Sequence, residues 1–333
     1  MNNIHIIAEA GTNNNGRLDK ALELVDMASR CGADSIKFQI IYTNELYLPG
    51  NYEYGHYDIN KVRMLRDKGI MTDADYENLH KYCVKTNIPF TASIFDSKGL
   101  ELMIKLKAPY IKIASGDLNH LKLLRQVADT GKRIILSTGM STLQEIDRSL
   151  NEIFKHKNND VVLMHCISVY PAQLRQTNLR FIEVLKKTFG LEVGFSDHTE
   201  HSIAACIALT LGATWFEKHF TADRSQEGLD HKYAMEEVHL KQYINDLHEA
   251  HEALKLKKEK VSPEELYTQK RARRSLYASR NIKAGEIIKD NDILIVRPEN
   301  TMGANDYDLL IGSVALVDIK QFENFSLNKV KQG

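Results

Sequence analysis

The residue type and spacing of His198 and His219 indicate a chemically functional site more strongly than any other feature of this chain. Each accompanies a β-like run, LEVGFS before His198 and ATWFEKH around His219, and an apolar helical stretch separates the two runs. If the runs are neighbouring parallel strands, the imidazoles lie at one rim about 5 Å apart. Two neutral imidazoles that converge there suit a divalent metal. An isolated pair is also consistent with one histidine that caps a helix and one that packs in the core.

Two lysines interrupt apolar, strand-like runs, Lys37 in IKFQ and Lys112 in YIKIAS. Burying an unpaired ammonium group is costly, so we expect both lysines to face a bound anion, with a structural ion pair as the alternative. Ser115 in IASG and Ser137 in STG add hydroxyl donors, and the adjacent glycines let backbone N–H groups approach a ligand. The pattern predicts a small, densely anionic ligand that carries phosphate or carboxylate.

Eight β-like runs alternate with amphipathic helical patterns and must position these residues. The runs are 4–9, 34–39, 89–93, 109–115, 133–138, 161–166, 191–196 and 214–219. Eight strand–helix units in this length predict an α/β fold of the (β/α)8, or TIM barrel, type, with its site at the C-terminal ends of the strands. Polar residues follow nearly every run, as this fold requires. The tyrosine-rich segment within 40–70 is predicted to be a long loop over the barrel mouth.

The pattern changes towards the C-terminus. Helical signal ends in a charged run, AHEALKLKKEKVSPEEL, and short β-like runs with glycine-containing turns follow from about residue 272. We therefore predict a barrel domain over 1–255, a linker over 256–271 and a small, mostly β domain over 272–333.

Composition excludes several classes of function. Lys+Arg and Asp+Glu number 44 each, so no overall charge recruits nucleic acid or an anionic membrane surface. No run approaches the roughly 20 apolar residues that span a bilayer. The four cysteines, Cys31, Cys83, Cys166 and Cys206, have no paired spacing and are interpreted as reduced core residues. The chain is expected to be a soluble cytoplasmic protein.

The motifs IAEAGTNNNG, KFQ, KIASGD, LSTGM, HCISVYP, GFSDHT, EKHF and GLDHKYAM occur in this order. Together they resemble the sialic acid synthase family, and the later ARRSLYASRNIKAGE and IVRP resemble its C-terminal antifreeze-like (SAF) domain. The resemblance covers essentially the whole chain. It implies a phosphoenolpyruvate-dependent transferase that condenses this substrate with an N-acylated amino sugar to give a nine-carbon nonulosonic acid and phosphate.

The resemblance also implies a role for each matching residue. A divalent metal, Mn2+ or Mg2+, would be bound by His198 and His219 to polarise the sugar aldehyde. Glu9 would orient or deprotonate water, and Arg297 would reach the sugar from the SAF domain of a second subunit in a domain-swapped homodimer. Phosphoenolpyruvate would be held by Lys37, Ser93, Lys112, Ser115, Ser137, Ser168 and Ser196. The sugar would contact Gln39, Asp117, Tyr170 and Asp230, of which Asp230 is also counted among the catalytic residues.

The sugar itself is left open by the sequence. Asp117 and Ser168 stand where many bacterial members have Glu and Asn. In this they resemble the vertebrate-type synthase, which uses a 6-phosphorylated sugar. In addition, ENTMGAND follows IVRP in place of a glycine-rich turn. Candidates are N-acetylmannosamine, its 6-phosphate or a 2,4-diacetamido-trideoxyhexose. Two other functions remain as alternatives: a metal-dependent hydrolase on the same barrel, and a non-enzymatic protein that binds sugar phosphates.

Overall fold

The computed structural model describes residues 3–48, 50, 53–54 and 57–332. The chain divides into two compact units, Met1–Lys255 and Leu256–Gly333. The first unit corresponds to the expected barrel. The predicted linker 256–271 is not without structure, because it contains most of a helix, Pro263–Ala272, that begins with a capping box between Ser262 and Glu265.

Eight parallel strands close the barrel, each pairing with the next along the chain and the eighth with the first. All eight β-like runs of the sequence form these strands, because their apolar, β-branched residues are buried on both faces. The strands are β1 His5–Gly11, β2 Ser35–Ile40, β3 Phe90–Ile94, β4 Tyr110–Ile113, β5 Arg133–Ser137, β6 Val161–His165, β7 Glu192–Asp197 and β8 Trp215–His219.

Helices surround the strands of the barrel. They are α1 Leu18–Cys31, α2 Thr43–Leu46, α3 Ile59–Gly69, α4 Asp73–Lys85, α5 Ser97–Lys105, α6 Leu121–Asp129, α7 Leu143–Lys155, α8 Phe181–Phe189, α9 Ile203–Thr210 and α10 Glu237–Ala253. All of them except α2 and α3 bury apolar residues against the barrel. The segment predicted to be a loop over the mouth contains α2, two short paired strands, Glu53–Tyr54 and Tyr57–Asp58, and α3. Residues 49, 51–52 and 55–56 of that segment lie outside the described part.

Side chains fill the N-terminal half of the barrel interior. The cluster there is Ile7, Tyr110, Ile135, Val162, Met164 and Trp215. Gly194 on β7 permits this packing, because a Cβ at that position would lie 2.3 Å from the sulfur of Met164. Because the N-terminal half, the lower end of the barrel, is filled, a ligand can enter the barrel at the C-terminal rim, the upper end.

The C-terminal unit is a small β domain with its own core. After α11 Pro263–Ala272, strand β9 Ser275–Ala278 pairs antiparallel with β10 Ile293–Val296, and β11 Val314–Ala315 pairs with β12 Val330–Lys331. The short helix α12 Tyr307–Leu310 lies between β10 and β11 along the chain. The core of this C-terminal domain consists of Leu276, Ala278, Ile282, Ile288, Met302, Leu310, Ala315, Ile319, Phe325 and Val330. Among the described residues of the whole chain, no helix combines the length and apolar character needed to cross a membrane.

Candidate active site at the barrel rim

A cavity of about 470 Å3 opens at the C-terminal ends of the barrel strands. Most of the residues that the sequence indicated for the site line it, and they lie on or just after the eight strands of the barrel. They are Glu9, Lys37, Gln39, Ser93, Lys112, Ser115, Ser137, Ser168, Tyr170, Ser196, His198 and His219. The remaining three, Asp117, Asp230 and Arg297, are not among its lining residues.

His198 and His219 are brought together as the sequence predicted. β7 and β8 are neighbouring parallel strands, and the ring centroids of the two histidines lie 5.7 Å apart. The aromatic ring of Tyr170 lies 4.1 Å from that of His198, and Tyr233 meets His219 edge to face at 5.2 Å. These contacts hold both imidazoles at the cavity wall.

Both imidazoles are neutral. Burial lowers the pKa of His198 to about 3 and that of His219 to about 4, and His219 further disfavours the charged form of His198. Nδ1 of His198 lies 2.7 Å from the carbonyl oxygen of Ile167, and because a carbonyl only accepts, Nδ1 carries the proton. Nε2 is therefore the unprotonated nitrogen, and it lies 3.3 Å from Oγ of Ser196. Such a fixed tautomer is typical of a metal ligand, so the pair fits a divalent ion.

The fit of this site to a divalent ion rests on the two histidines alone. Nδ1 of His219 is buried and has no hydrogen-bond partner, which leaves that ring able to bind through either nitrogen. Within the described part of the chain, no group of three or more His, Cys, Asp or Glu side chains is arranged to hold an ion. Water or substrate oxygens would have to complete the coordination, and an accessible site of that kind is the form that catalytic metals require.

Both expectations for the two lysines, that they face a ligand site and that they form structural ion pairs, agree with the structure. They line the cavity, and each also has a buried carboxylate partner. Nζ of Lys37 lies 2.8 Å from Oε2 of Glu9 and donates to Oγ of Ser93 at 2.8 Å. Nζ of Lys112 donates to both carboxylate oxygens of Glu217, at 2.8 and 2.7 Å.

Glu217 joins these pairs into one network. It lies 3.6 Å from Nζ of Lys37 and accepts a hydrogen bond from Oγ of Ser196 at 3.0 Å. Burial opposes its ionisation, but Lys112 and Lys37 outweigh that cost and hold the pKa of Glu217 well below its usual range. Glu9 differs, because burial raises its pKa to about 7 in spite of Lys37. One carboxylate is thus fixed as an anion and the other can exchange a proton near neutral pH.

Hydroxyl groups and a close backbone approach form the wall beside Lys112. Oγ of Ser115 accepts a hydrogen bond from the N–H of Gly139 at 3.1 Å and lies 3.2 Å from Sγ of Cys166. A Cβ at position 139 would lie within 2.8 Å of Ser115, Cys166 and Ser168, so only glycine fits. The STG motif therefore places a backbone turn where a bound anion can be contacted.

The predicted sugar residues lie at different depths. Amide Nε2 of Gln39 donates to Oε1 of Glu9 at 3.0 Å. Asp230 is buried behind the cavity wall and accepts a hydrogen bond from Tyr233 at 2.7 Å. Asp117 is half-buried, and burial together with Asp96 raises its pKa to about 6. Arg297 is an exposed residue of the C-terminal unit, immediately after β10.

Arg66 was missed by reasoning from the sequence. Its Nη1 donates to Oγ1 of Thr12 and to Oε1 of Gln39, each at 3.0 Å, and lies 3.8 Å from Oδ2 of Asp230. In the sequence this arginine is one of several charged residues in a helical pattern, which is typical of a solvated face. Glu217 is likewise absent from the predicted site residues, because its ion pairs are formed with Lys37 and Lys112, which are far away in the chain.

Comparison with known proteins defines the class to which this fold and site belong. Residues 24–259 match the model of the NeuB family, and residues 273–321 match the SAF domain. The chain belongs to the NeuB family. The structure and these matches together confirm the predicted barrel followed by a small SAF domain.

Several members of known activity resemble the chain over nearly all of its length. An N,N'-diacetyllegionaminic acid synthase of Campylobacter jejuni is 35% identical over 326 residues, covering 96% of this chain and 97% of that protein. A pseudaminic acid synthase of the same species is 33% identical over 327 residues, covering 95% and 94%. The crystal structure of an N-acetylneuraminic acid synthetase from Leptospira borgpetersenii superposes with a TM-score of 0.72 at 30% identity, over 80% of this chain and 90% of that one.

Proposed function

We propose that this protein is a nonulosonic acid synthase that condenses phosphoenolpyruvate with an open-chain N-acylated amino sugar and releases phosphate. The observation that carries the proposal is the cavity in which two neutral histidines and two buried lysine–carboxylate pairs meet. The relatives that share this architecture are synthases of legionaminic, pseudaminic and N-acetylneuraminic acid. No comparable feature favours the hydrolase or the non-enzymatic alternative.

Phosphoenolpyruvate occupies the lysine side of the cavity in this proposal. Lys37 and Lys112 supply positive charge from positions almost inaccessible to solvent, where electrostatic stabilisation is stronger than in solution. The hydroxyls of Ser93, Ser115 and Ser137 line the same wall and donate to phosphate or carboxylate oxygens, and Ser168 and Ser196 extend it. Glu217 keeps both ammonium groups in place before the anion arrives.

The condensation requires attack by C3 of phosphoenolpyruvate on the sugar aldehyde, addition of water at C2 and loss of phosphate by C–O cleavage. Glu9 is the residue suited to take the proton from that water, since a pKa of about 7 lets its carboxylate accept a proton at neutral pH. Gln39 donates to Glu9 and leaves Oε2 available beside Lys37. Such a general base contributes about 10²–10⁴ in rate.

The sugar is assigned to the wall of the cavity formed by Tyr170 and Gln39. Asp230 and Arg66 support that wall from behind, and Asp117 lies near the Ser115 turn. His198 and His219 would hold a divalent metal, Mn2+ or Mg2+. Bound there, the ion would act as a Lewis acid on the aldehyde oxygen. The support for the metal is the neutral charge of both rings and the fixed tautomer of His198.

A phosphate-release assay tests the activity. Phosphoenolpyruvate and Mn2+ are supplied with N-acetylmannosamine, its 6-phosphate or a 2,4-diacetamido-trideoxyhexose, and release should depend on one of these sugars. Phosphoenolpyruvate labelled with 18O in the C–O–P bridge should deliver the label to phosphate. Release without sugar, with the label absent from phosphate, would support the hydrolase, and sugar-phosphate binding without turnover would support the non-enzymatic protein. His219→Ala should abolish release while leaving the folded state intact.

Arg297 and the homodimer form a separate part of the proposal. We propose that Arg297 contacts sugar in the barrel of a second copy of the chain, which the exposure of this residue permits. His219→Ala and Arg297→Ala should each be inactive alone. Co-expressed, they should regain about one quarter of the active sites, because half of the dimers are mixed and each has one intact site. No recovery in mixed dimers would mean that Arg297 acts within its own chain, and full activity of Arg297→Ala alone would mean that it has no role. The cytoplasmic location remains a prediction from the sequence.

A further inference from the structure

Lys218 and Asp197 form a buried ion pair on the opposite side of the strands from the cavity. Lys218 lies between Glu217 and His219 on β8, and Asp197 lies between Ser196 and His198 at the end of β7. Since successive side chains of a strand face opposite sides, this pair points outward where its neighbours point inward. Both residues are only 1% exposed, and a lysine is almost never so deeply buried without a partner.

The two side chains bridge the strands that carry the histidines. Asp197 and Lys218 are register partners of β7 and β8, and Nζ of Lys218 lies 3.3 Å from Oδ2 of Asp197. The ring of Tyr243 from α10 closes the cluster, with its centroid 5.2 Å from the same ammonium group. The ionic contact is therefore a fixed cross-link at the point where the two strands leave the barrel.

The same pair fixes the turn that follows His198. Oδ1 of Asp197 accepts hydrogen bonds from the backbone N–H and the hydroxyl of Thr199, both at 2.8 Å. Nζ of Lys218 donates to the backbone carbonyl of Thr199. His198 lies inside this turn, so the backbone that carries it is tied directly to β8, one residue before His219. Buried charge is costly, and the hydrogen bonds offset that cost only in this arrangement.

We propose that the Asp197–Lys218 pair is a positioning device that sets His198 and His219 at the separation required to bind one divalent cation. Ligands that are already held at their binding distance lose less freedom when the ion binds, so affinity rises without any contact between the pair and the ion. The inference rests on the metal-binding part of the proposed function. It extends that function to residues on the side of the sheet that the substrate never reaches.

The test compares variants at the two ends of the same strands. Asp197→Asn keeps the shape of the side chain and removes its charge, and Lys218→Met keeps the length and removes the ammonium group. Thr214→Val is the control, because Thr214 precedes β8 and donates to Glu192 at the start of β7, 2.7 Å away, at the far end. For each protein, Mn2+ affinity is measured by calorimetry, and the melting temperature is measured in the presence of chelator.

Asp197→Asn and Lys218→Met should raise the Kd for Mn2+ about 10–100-fold, the range found for residues that orient metal ligands. Thr214→Val should lower the melting temperature and leave the Kd within about twofold of wild type. The double variant Asp197→Asn/Lys218→Met should weaken Mn2+ binding no more than either single change, because each of the three variants removes the same ion pair. The double variant also provides a folded test protein if an unpaired charge prevents either single variant from folding.

The failures of the two proposals can be told apart. If wild type binds Mn2+, His219→Ala does not, and the folded pair variants bind as tightly as wild type, the positioning role is wrong and the metal site stands. Equal weakening in Thr214→Val would reduce the effect to general destabilisation and also overturn the inference. If the wild-type protein does not bind Mn2+ or Mg2+, both proposals fail.

Discussion

At the C-terminal ends of the barrel strands, Lys112 and Glu217 are buried as ions, whereas at the N-terminal ends Ser35 and Tyr110 meet through a neutral hydrogen bond of 2.7 Å. The lower end also packs His5 against the ring of Trp215, 4.1 Å between centroids. Lys112, Glu217, Ser35 and Tyr110 are all buried, and the upper end opens into the cavity lined by the rim residues. The contrast associates the buried ions, which are costly in stability, with the end of the barrel where a ligand can bind.

The largest effect is expected when one charge at the rim is neutralised. Glu217→Gln leaves Lys112 buried without its carboxylate, so the free energy of unfolding should fall by about 3–5 kcal/mol and activity should be lost. Urea denaturation and the phosphate-release assay measure the two effects. Adding Lys112→Met to Glu217→Gln should recover part of the stability but no activity. If Glu217→Gln is as stable as wild type, the two ends of the barrel do not differ as described.

The proton exchange assigned to Glu9 predicts the pH dependence of the reaction. With a pKa of about 7, the basic form of Glu9 is depleted as the pH falls, so kcat should decrease about tenfold per unit below pH 7. Glu9→Gln should reduce kcat by about 10²–10⁴ and abolish this limb of the profile. An unchanged acidic limb in the variant would assign the titration to another group.

A smaller effect is expected at Arg66, which supports the sugar side of the rim. Arg66→Lys retains the charge but cannot reproduce the guanidinium contacts to Gln39 and Thr12, so the KM for the sugar should rise about tenfold, the equivalent of one charged hydrogen bond. The KM for phosphoenolpyruvate should stay within about twofold. Equal changes in both constants would indicate a general distortion of the cavity.

The smallest effect is expected at the lower end. Tyr110→Phe removes the hydroxyl that meets Ser35, and the free energy of unfolding should fall by about 1 kcal/mol, the usual contribution of a neutral hydrogen bond. Turnover by the folded protein should not change. A loss of activity comparable to that of Arg66→Lys would show that the two ends of the barrel are coupled.

Much of the site could be predicted because its residues occupy equivalent places in a repeated unit. Parallel strands place their C-terminal ends at one rim, so a polar residue after each β-like run belongs to the same surface even when the runs are far apart. The histidines, the lysines and most of the serines could be located in this way. Asp230 behind the wall and Arg66 could not, because a residue of a helix or a loop has no such fixed position.

The eight strands, the closed barrel and the rim that carries the chemistry could be predicted from the sequence, because β propensity and hydrophobic periodicity are local properties. The pairing of the charges depends on contacts that form only in the folded chain. Lys112 and Glu217 are separated by 105 positions, and either lysine could have faced an anion or a carboxylate. Barrel closure brings β4 and β8 across one interior, and the contact distances reached there make Glu217 an anion and leave Glu9 with a pKa of about 7.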